Sequence, residues 1–365
     1  MLVPVLLFVV GLVFLIKGGD WFVDGATDIA HRFRMPELLI GATIVSIGTT
    51  LPEVMVSATA AVSGHSQIAY GNAIGSIICN TALILAITAV ATPQKVERKG
   101  LVTPVAFFFA AATFYAGIAY VQGYFSRVTG MVLLATFVIY MVVLIKKASG
   151  APRKETVFLS VKPNVTANIA ANANRSIGNS SENSSMNSGA RAAVKSMNLE
   201  KSNEGEDKKS FAMEIVLLVV GAALIAVGAD LLVDNGTIIA TSLGVPESVI
   251  ALTFVALGTS LPELVTAITS LLKGHGALSL GNVIGANLFN LVLVSGMACT
   301  LTPFAIPANK MIAGINSSLL IDIPLMLIVM LIATVPTIAK GRISRWQGIL
   351  LLTIYVLFCA SQFIM

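Results

Sequence analysis

Long apolar runs separated by short polar segments make up most of the chain. Because a helix needs about 20 apolar residues to cross the hydrocarbon core of a bilayer, we expect each run to form one transmembrane helix. The pattern predicts ten spans, at 1–30, 37–63, 67–92, 101–121, 127–146, 211–240, 246–273, 277–301, 312–338 and 343–364. The expected fold class is therefore an all-α integral membrane protein, with five spans before residue 147 and five after residue 210.

The segment between the fifth and sixth predicted spans has a different composition from the rest of the chain. From Asn164 to Asn203 it is rich in Asn, Ser and Ala and has almost no large apolar residues. Such a composition is typical of a solvated, flexible linker. The sequence thus predicts three parts: a first five-helix repeat at 1–147, a linker at 148–210 and a second five-helix repeat at 211–365.

The amino-acid composition supports the membrane assignment. Of 365 residues, 56% are hydrophobic and 11% are charged, and the mean hydropathy is +0.88. Soluble domains carry about 45–50% apolar and about 25% charged residues, and disordered chains need low hydrophobicity, so both classes are excluded. Three cysteines in apolar runs and three histidines without paired Cys/His spacing predict no disulfide framework, zinc site or cofactor.

The basic residues predict the orientation of the chain in the membrane. With the N-terminus outside, the inside loops hold nine Lys and Arg residues and the outside loops hold two, before the linker adds eleven more inside. The inside set is Arg32, Arg34, Lys95, Arg98, Lys99, Lys273, Lys340, Arg342 and Arg345, and the outside pair is Arg127 and Lys310. The positive-inside rule therefore predicts that both termini are outside and that the linker is cytoplasmic. This distribution follows membrane topology and does not indicate nucleic-acid binding.

The two halves repeat each other at a constant offset of 210 residues. Gly-Thr-Thr-Leu-Pro-Glu at 48–53 returns as Gly-Thr-Ser-Leu-Pro-Glu at 258–263, and Gly-Asn-Ala-Ile-Gly at 71–75 returns as Gly-Asn-Val-Ile-Gly at 281–285. From residue 36 to residue 53, ten of eighteen positions are identical to their partners. Since each half has an odd number of predicted spans, the halves enter the membrane in opposite senses. A 5+5 inverted repeat of this kind is typical of secondary transporters.

The repeated Thr-Thr/Ser-Leu-Pro-Glu segment has the chemistry of a cation site. Proline removes a backbone donor, so we expect helix breaks near Thr50–Pro52 and Ser260–Pro262. Freed carbonyls, hydroxyls and a carboxylate are the hard oxygen ligands that Ca²⁺ prefers. Ionised Glu53 and Glu263 are costly at mid-membrane, and capping a half-helix returns only about 0.3–1 kcal/mol. A cation between the two glutamates would offset the cost.

Other polar residues in the spans have less decisive patterns. Ser76 and Asn80 are four residues apart and share one helical face, and Asn80 has its counterpart in Asn290. Asp20 and Asp24 also recur at an offset of 210, and the sequence leaves open whether they line an ion path or lie at the membrane interface. Histidine occurs only near span ends, where we expect a loop role.

These motifs resemble the α-repeats of the calcium/cation antiporter superfamily, and most closely its prokaryotic sodium/calcium exchanger branch. The resemblance covers nearly all of both halves and excludes the linker. It implies a ten-helix inverted repeat with four ion sites between the second, third, seventh and eighth helices, in a prokaryotic plasma membrane. It also implies that the long first and sixth helices slide across the remaining bundle to alternate access.

The resemblance implies roles for particular residues. Glu53 and Glu263 would be shared Ca²⁺ and Na⁺ ligands. Further oxygen ligands would come from Thr49, Thr50, Thr259 and Ser260 in the motifs, and from Ser76, Asn80 and Asn290 in the third and eighth helices. Two positions depart from the family pattern, because many exchangers have Asp in place of Asn290 and Ser in place of Ala286.

The sequence therefore predicts an antiporter that exchanges Na⁺ for Ca²⁺ and is not an enzyme. Ca²⁺/H⁺ antiport remains open, because a desolvated glutamate can also be neutralised by a proton. A membrane-embedded hydrolase is disfavoured, since no histidine lies mid-span and no His-Glu-x-x-His motif is present. The expected partners are Ca²⁺, Na⁺ and the lipid bilayer, without nucleic acid or an obligate protein partner.

Overall fold

The computed structural model describes residues 2–33, 35–149, 210–243, 258–307, 311–312 and 315–364. Most of the predicted linker at 148–210 lies outside these residues, as does the first part of the seventh predicted span, at 246–257. Residues 1–146 and 211–365 belong to one compact unit, so the described parts of the two sequence halves pack together.

Helices account for almost all of the described chain. Eight of them are long and apolar enough to cross a membrane, and two further apolar helices complete the set. They are α1 (Leu2–Arg32), α2 (Glu37–Val62), α3 (Ser66–Ala91), α4 (Arg98–Gln122), α5 (Arg127–Ser149), α6 (Phe211–Ser242), α7 (Leu261–Leu272), α8 (Gly276–Leu301), α9 (Ser318–Lys340) and α10 (Arg345–Ile364). The predicted all-helical membrane fold is confirmed at this level.

Four very short strands are the other regular elements of the described residues. β1 (Tyr124–Phe125) pairs antiparallel with β2 (Phe304–Ala305), and β3 (Met311–Ile312) pairs antiparallel with β4 (Ile315–Asn316). The first pair joins the α4–α5 connection to the segment that follows α8. Both pairs lie in segments that connect helices, so the fold class is still all-helical.

The two motif prolines have different effects on their helices. The helix runs without interruption from Ser46 to Val62 with Pro52 inside it, so the predicted break in α2 is wrong. A π-helical segment, Gly41–Val45, lies just before this stretch. Transmembrane helices tolerate proline because neighbouring helices, hydroxyls and local adjustments can satisfy the freed backbone groups. In the second half the prediction is confirmed, because α7 begins at Leu261 with Pro262 in its first turn.

Two central helices change their hydrogen-bonding pattern at equivalent asparagines. A π segment begins at Asn80 in α3 and another begins at Asn290 in α8, exactly one repeat offset apart in sequence. Such π segments are rare and occur frequently at functional sites. In an apolar stretch of 18 residues within each helix, 78% of the residues of α3 and 89% of those of α8 are buried. The corresponding share is 22% in α1 and in α6. The π segments therefore lie in the most enclosed part of the bundle.

Helices α1 and α6 pack closely and antiparallel through glycines. A Cβ atom added at Gly11 would lie 2.9 Å from the carbonyl oxygen of Gly228, and one added at Gly18 would lie 2.9 Å from that of Gly221. Any larger residue would push the helices apart, as expected for small residues at membrane helix interfaces. Near one end of this pair, Arg32 forms an ion pair with Glu214.

The contact between α2 and α8 also depends on glycine. Gly281 packs against the backbone carbonyl of Leu38, and Gly285 packs against Ala42 and Ser46. These two glycines therefore let α8 pack closely against α2. The chain segment equivalent to the start of α2 lies at 247–255, outside the described residues. This α2–α8 contact brings the motif glutamate of the first half toward the central helix of the second.

Candidate functional site

Glu53 in α2 and Glu263 in α7 are neighbours in the interior of the bundle. Both side chains have an exposed fraction of 0%. All four of their carboxylate oxygens lack a hydrogen-bond partner among the residues that the structure describes. Burying a carboxylate without a partner costs several kcal/mol or more, and two adjacent negative charges add repulsion. The pair therefore has the electrostatics of a cation site.

Two hydroxyl-bearing residues of the first motif lie near the carboxylate of Glu263. Thr49 and Thr50 of α2 are its polar neighbours together with Glu53. Thr49 donates hydrogen bonds to Oδ1 of Asn282 at 3.2 Å and to the backbone oxygen of Ser46 at 3.4 Å. The hydroxyl of Thr50 is buried and unpaired within the described part of the chain, so it is available as an oxygen ligand.

The second motif supplies hydroxyls that are placed less symmetrically. Ser260 is buried just before α7, next to Cys79 of α3, and its hydroxyl has no partner within the described ranges. Thr259 lies in the turn that precedes α7 and is partly exposed, whereas its counterpart Thr49 is buried. The structure thus encloses Ser260 near Glu263 and leaves Thr259 more open.

Asn80 and Asn290 lie on the two central helices, at the start of segments that pack against the glutamate-bearing helices. Each has an exposed fraction of 0%, and neither its amide oxygen nor its amide nitrogen has a partner among the described residues. The π segment that begins at Asn80 packs against α7, and the one that begins at Asn290 packs against α2. Ser76 is buried one turn before Asn80. Each central helix therefore faces the glutamate-bearing helix of the other half.

Two further asparagines organise the site, and the sequence pattern alone assigned them no role. The amide of Asn72 donates to the backbone oxygen of Glu53 at 3.2 Å and to the hydroxyl of Ser57 at 2.9 Å. Its counterpart Asn282 accepts from Thr49 instead. The repeated Gly-Asn dipeptide was the available signal, because it recurs beside both glutamate motifs.

Asp20 and Asp24 lie away from the glutamates. Lys273, at the end of α7, approaches Asp24 to 2.8 Å and Asp20 to 3.4 Å. Beyond the same turn, Nδ1 of His275 lies 2.9 Å from Glu37. Asp20 and Asp24 thus have a basic partner at the end of α7, and their role in an ion path or at the membrane interface stays a prediction. His275 lies in the connection between α7 and α8, as expected.

The site contains two carboxylates and otherwise neutral oxygen donors. Within the described residues, no cluster of three or more His, Cys, Asp or Glu side chains could hold a metal ion. A net charge of −2 matches one divalent cation, and the unpaired hydroxyls and amides supply further hard ligands. A helical membrane bundle with such a site belongs to the class of cation transporters.

Comparison with known proteins extends this assignment. The family described as "Sodium/calcium exchanger protein" matches residues 3–146 and 213–364. Sodium/calcium exchanger MaX1 from Methanosarcina acetivorans is 32% identical over 98% of each chain, and inner membrane protein YrbG from Escherichia coli is 32% identical over 83% of this chain and 81% of its own. The structure of the sodium-calcium exchanger NCX_Mj soaked with 2.5 mM Na⁺ and 10 mM Sr²⁺ matches with a TM-score of 0.71 at 29% identity, over 99% of both chains.

The chain belongs to the sodium/calcium exchanger family. The resemblance drawn from the two glutamate motifs is confirmed, and the protein is a multi-pass membrane antiporter of the cation-exchanging class.

Proposed function

We propose that this chain exchanges Na⁺ for Ca²⁺ across the membrane, by alternating access to a midplane site between Glu53 and Glu263. The observation that carries the proposal is the burial of four carboxylate oxygens that are unpaired within the described chain. The sodium/calcium exchangers among its relatives support the choice of ions.

Charge balance explains why such a site would couple the two ions. One Ca²⁺ neutralises both glutamates, and so do two Na⁺, whereas an empty pair keeps two negative charges in a medium of low dielectric. Moving that charged site between the two faces costs far more than moving a neutral one. The loaded states would therefore interconvert readily and the empty state would not, which is the requirement for exchange.

The proposed ligand set combines charged and neutral oxygens, because Ca²⁺ takes six to eight oxygen ligands. Glu53 and Glu263 would bind both ions. The neutral donors would be Thr49, Thr50, Thr259, Ser260, Ser76, Asn80 and Asn290, through hydroxyl, amide or backbone oxygens. With Asn290 in place of an acid, the site has no third carboxylate to offset further positive charge.

The proposed architecture is a ten-helix 5+5 inverted repeat. Its support is the constant sequence offset together with the reciprocal contacts of Gly11 with Gly228 and of Gly18 with Gly221. The repeat offset of 210 relates Gly11 to Gly221 and Gly18 to Gly228, so each contact is the repeat equivalent of the other. In this arrangement both termini face outside and the linker at 148–210 faces the cytoplasm, in the plasma or inner membrane. The chain would thus consist of a first repeat at 1–147, the linker at 148–210 and a second repeat at 211–365.

Helices α1 and α6 would be the moving pair. A small pocket lies at their boundary with the motif prolines, with Phe22 of α1 and Ala226 of α6 on one side and Thr49, Pro52 and Pro262 on the other. Glycines make the contact of α1 with α6 close, so the two helices can move together. Sliding of the pair along this boundary would expose the site to one face at a time.

Ca²⁺/H⁺ antiport is the second candidate, since protons could also neutralise Glu53 and Glu263. The unpaired hydroxyls of Thr50 and Ser260, and the unpaired amides of Asn80 and Asn290, favour Na⁺ within the described site. A sodium ion needs several oxygen ligands, whereas a proton needs only the carboxylate.

The test is ⁴⁵Ca²⁺ uptake by proteoliposomes loaded with Na⁺ and diluted into Na⁺-free buffer. Matched vesicles contain K⁺ or carry an imposed pH gradient. We expect uptake to follow the Na⁺ gradient, to vanish in Glu53→Gln, and to persist in Glu97→Gln, which changes an exposed glutamate. Uptake that follows only the pH gradient would replace Na⁺ by H⁺ as the coupling ion. If neither gradient drives Ca²⁺ uptake, the proposed substrates are refuted.

A further inference from the structure

One face of α7 continues the polar site toward the end of the helix. Thr266 and Ser270 follow Glu263 by three and seven residues, so all three share a face, and each has an exposed fraction of 0%. The hydroxyl oxygens of Thr266 and Ser270 have no hydrogen-bond partner among the described residues. With a rise of about 1.5 Å per residue, this row extends about 10 Å from Glu263 toward the α7–α8 turn.

Helix α8 lines the other side of the row. The turn between the helices is tight, because the backbone N–H of His275 donates to the carbonyl oxygen of Ser270 at 2.8 Å. Residues at equal distances from this turn lie at similar depth in the two packed antiparallel helices, which places Ser279 near Ser270 and Asn282 near Thr266. The hydroxyl of Ser279 and the amide nitrogen of Asn282 are likewise fully buried and unpaired within the described chain.

Most buried hydroxyls elsewhere in the bundle are satisfied by their own helix. Thr43, Thr81, Thr334 and Thr337 each donate to the backbone oxygen four residues earlier, at 2.6–2.8 Å. In the interior of a membrane protein, an unsatisfied polar group costs several kcal/mol. Water or a passing cation can provide the missing partner where polar groups line a common space.

The row is not a requirement of the repeated fold. At an offset of 210 residues, Thr266 corresponds to Val56, Ser270 to Ala60 and Ser279 to Ala69. The first half therefore forms the same helical hairpin with apolar residues at these positions. The hydroxyls at these three positions are therefore specific to the α7–α8 hairpin; the buried Ser57 of the first-half hairpin accepts a hydrogen bond from Asn72.

We propose that Thr266, Ser270 and Ser279, with the amide of Asn282, line the route of hydrated Na⁺ and Ca²⁺ between the glutamate site and the membrane face that carries the α7–α8 turn. The inference rests on the proposed exchange function. Neutral hydroxyls suit a route, because they replace some of the water around a cation without holding it as a carboxylate would. Substitutions at the glutamate site should therefore change ion affinity, whereas substitutions along the route should change the rate of transport.

The first test separates passage from binding. The variant Thr266→Val/Ser270→Ala is reconstituted for initial rates of Ca²⁺ uptake, and its equilibrium Ca²⁺ binding is measured in detergent. We expect the rate to fall about tenfold while half-saturation of equilibrium binding stays within about twofold. The control Thr334→Val removes a hydroxyl that is satisfied by its own helix, and we expect its rate to match wild type. An unchanged rate in the double variant, or an equal loss of affinity, would overturn the proposal.

The second test does not depend on transport. Ser270→Cys is placed in a background whose three cysteines are replaced by alanine, and a membrane-impermeant cationic methanethiosulfonate is added from one face at a time. We expect modification only from the face that carries Lys273, and none for Thr334→Cys. If the wild-type protein does not transport Ca²⁺, the proposed function fails and the labelling alone tests the route. Absence of modification of Ser270→Cys from the Lys273 face would refute the route.

Discussion

The hydroxyl of Thr49 in α2 donates a hydrogen bond of 3.2 Å to Oδ1 of Asn282 in α8. This bond joins the glutamate motif of the first half to the Gly-Asn motif of the second, beside the carboxylate of Glu263. It therefore positions a proposed ligand through a residue of the opposite repeat. Ion binding in such a site depends on contacts between the halves as well as on the ligands themselves.

Loss of this bond should weaken Ca²⁺ binding. Thr49→Val keeps the shape of the side chain and removes the hydroxyl, and a hydrogen bond contributes about 0.5–1.5 kcal/mol net. We expect half-maximal Ca²⁺ uptake at about 2- to 10-fold higher Ca²⁺. Thr43→Val is the control, because its hydroxyl bonds only within α2, to Leu39 at 2.7 Å and Ile40 at 3.3 Å. Equal effects of the two variants would contradict the role of Asn282.

Neutralising one glutamate should stabilise the ion-free protein. Glu263→Gln removes the repulsion between two buried carboxylates and leaves a neutral side chain of similar size. We expect a higher thermal midpoint than wild type in ion-free detergent solution, and loss of the stabilisation that Ca²⁺ gives to wild type. A thermal-shift series with and without Ca²⁺ measures both effects. A Ca²⁺-dependent shift that survives in the variant would exclude Glu263 as a ligand.

The contact between α1 and α6 should be intolerant of side chains. A Cβ atom at Gly221 would lie 2.5 Å from the backbone nitrogen of Phe22 and 2.8 Å from the carbonyl oxygen of Gly18. We expect Gly221→Ala to lower the free energy of unfolding by about 1–3 kcal/mol and to slow exchange. Gly117→Ala is the control, since none of the described residues lies within 4 Å of its added Cβ atom. Comparable losses in both variants would show that the helix interface is not responsible.

The ion pair between Lys273 and Asp24 should affect the rate more than stability. Both side chains are partly exposed, and such pairs contribute about 0–1 kcal/mol, but this pair joins the proposed moving helix α1 to the end of α7. We expect Asp24→Asn to change the exchange rate with little change in thermal midpoint. Exchange assays at low and high salt provide the measurement, and the reversed pair Asp24→Lys/Lys273→Glu should restore the wild-type rate. If the reversed pair does not restore the rate, Asp24 and Lys273 affect exchange separately and not through their ion pair.

Much of the architecture was predictable because the bilayer imposes a length and a polarity on each helix. The apolar runs predicted several helices to within a few residues, as for α3, expected at 67–92 and observed at 66–91, whereas α9 begins at Ser318, six residues after its expected start. Duplication of a motif containing Glu53 and Glu263 predicted the family, and it singled out the two glutamates that the structure places side by side in the interior. These features depend on local composition and on identity between distant segments, both of which are visible in the chain.

The path of the backbone at the prolines depended on tertiary structure. Identical Leu-Pro-Glu triplets begin a helix at Leu261 and lie within a continuous helix at Pro52. A proline removes one hydrogen bond in either case, and the surrounding helices decide whether the chain bends, forms a π segment or ends the helix. Local sequence cannot distinguish these outcomes, because the energies that separate them come from packing.

Membrane thickness and the repeated motif together make the helical class and the paired glutamates readable from sequence. The partners of polar side chains are different: Asn72 bonds to its own half, and Asn282 bonds to the other. The row formed by Thr266, Ser270 and Ser279 likewise appears only when α7 and α8 are packed together. Such relationships depend on the relative depth and rotation of helices, which are set by the sum of many contacts between residues far apart in the chain.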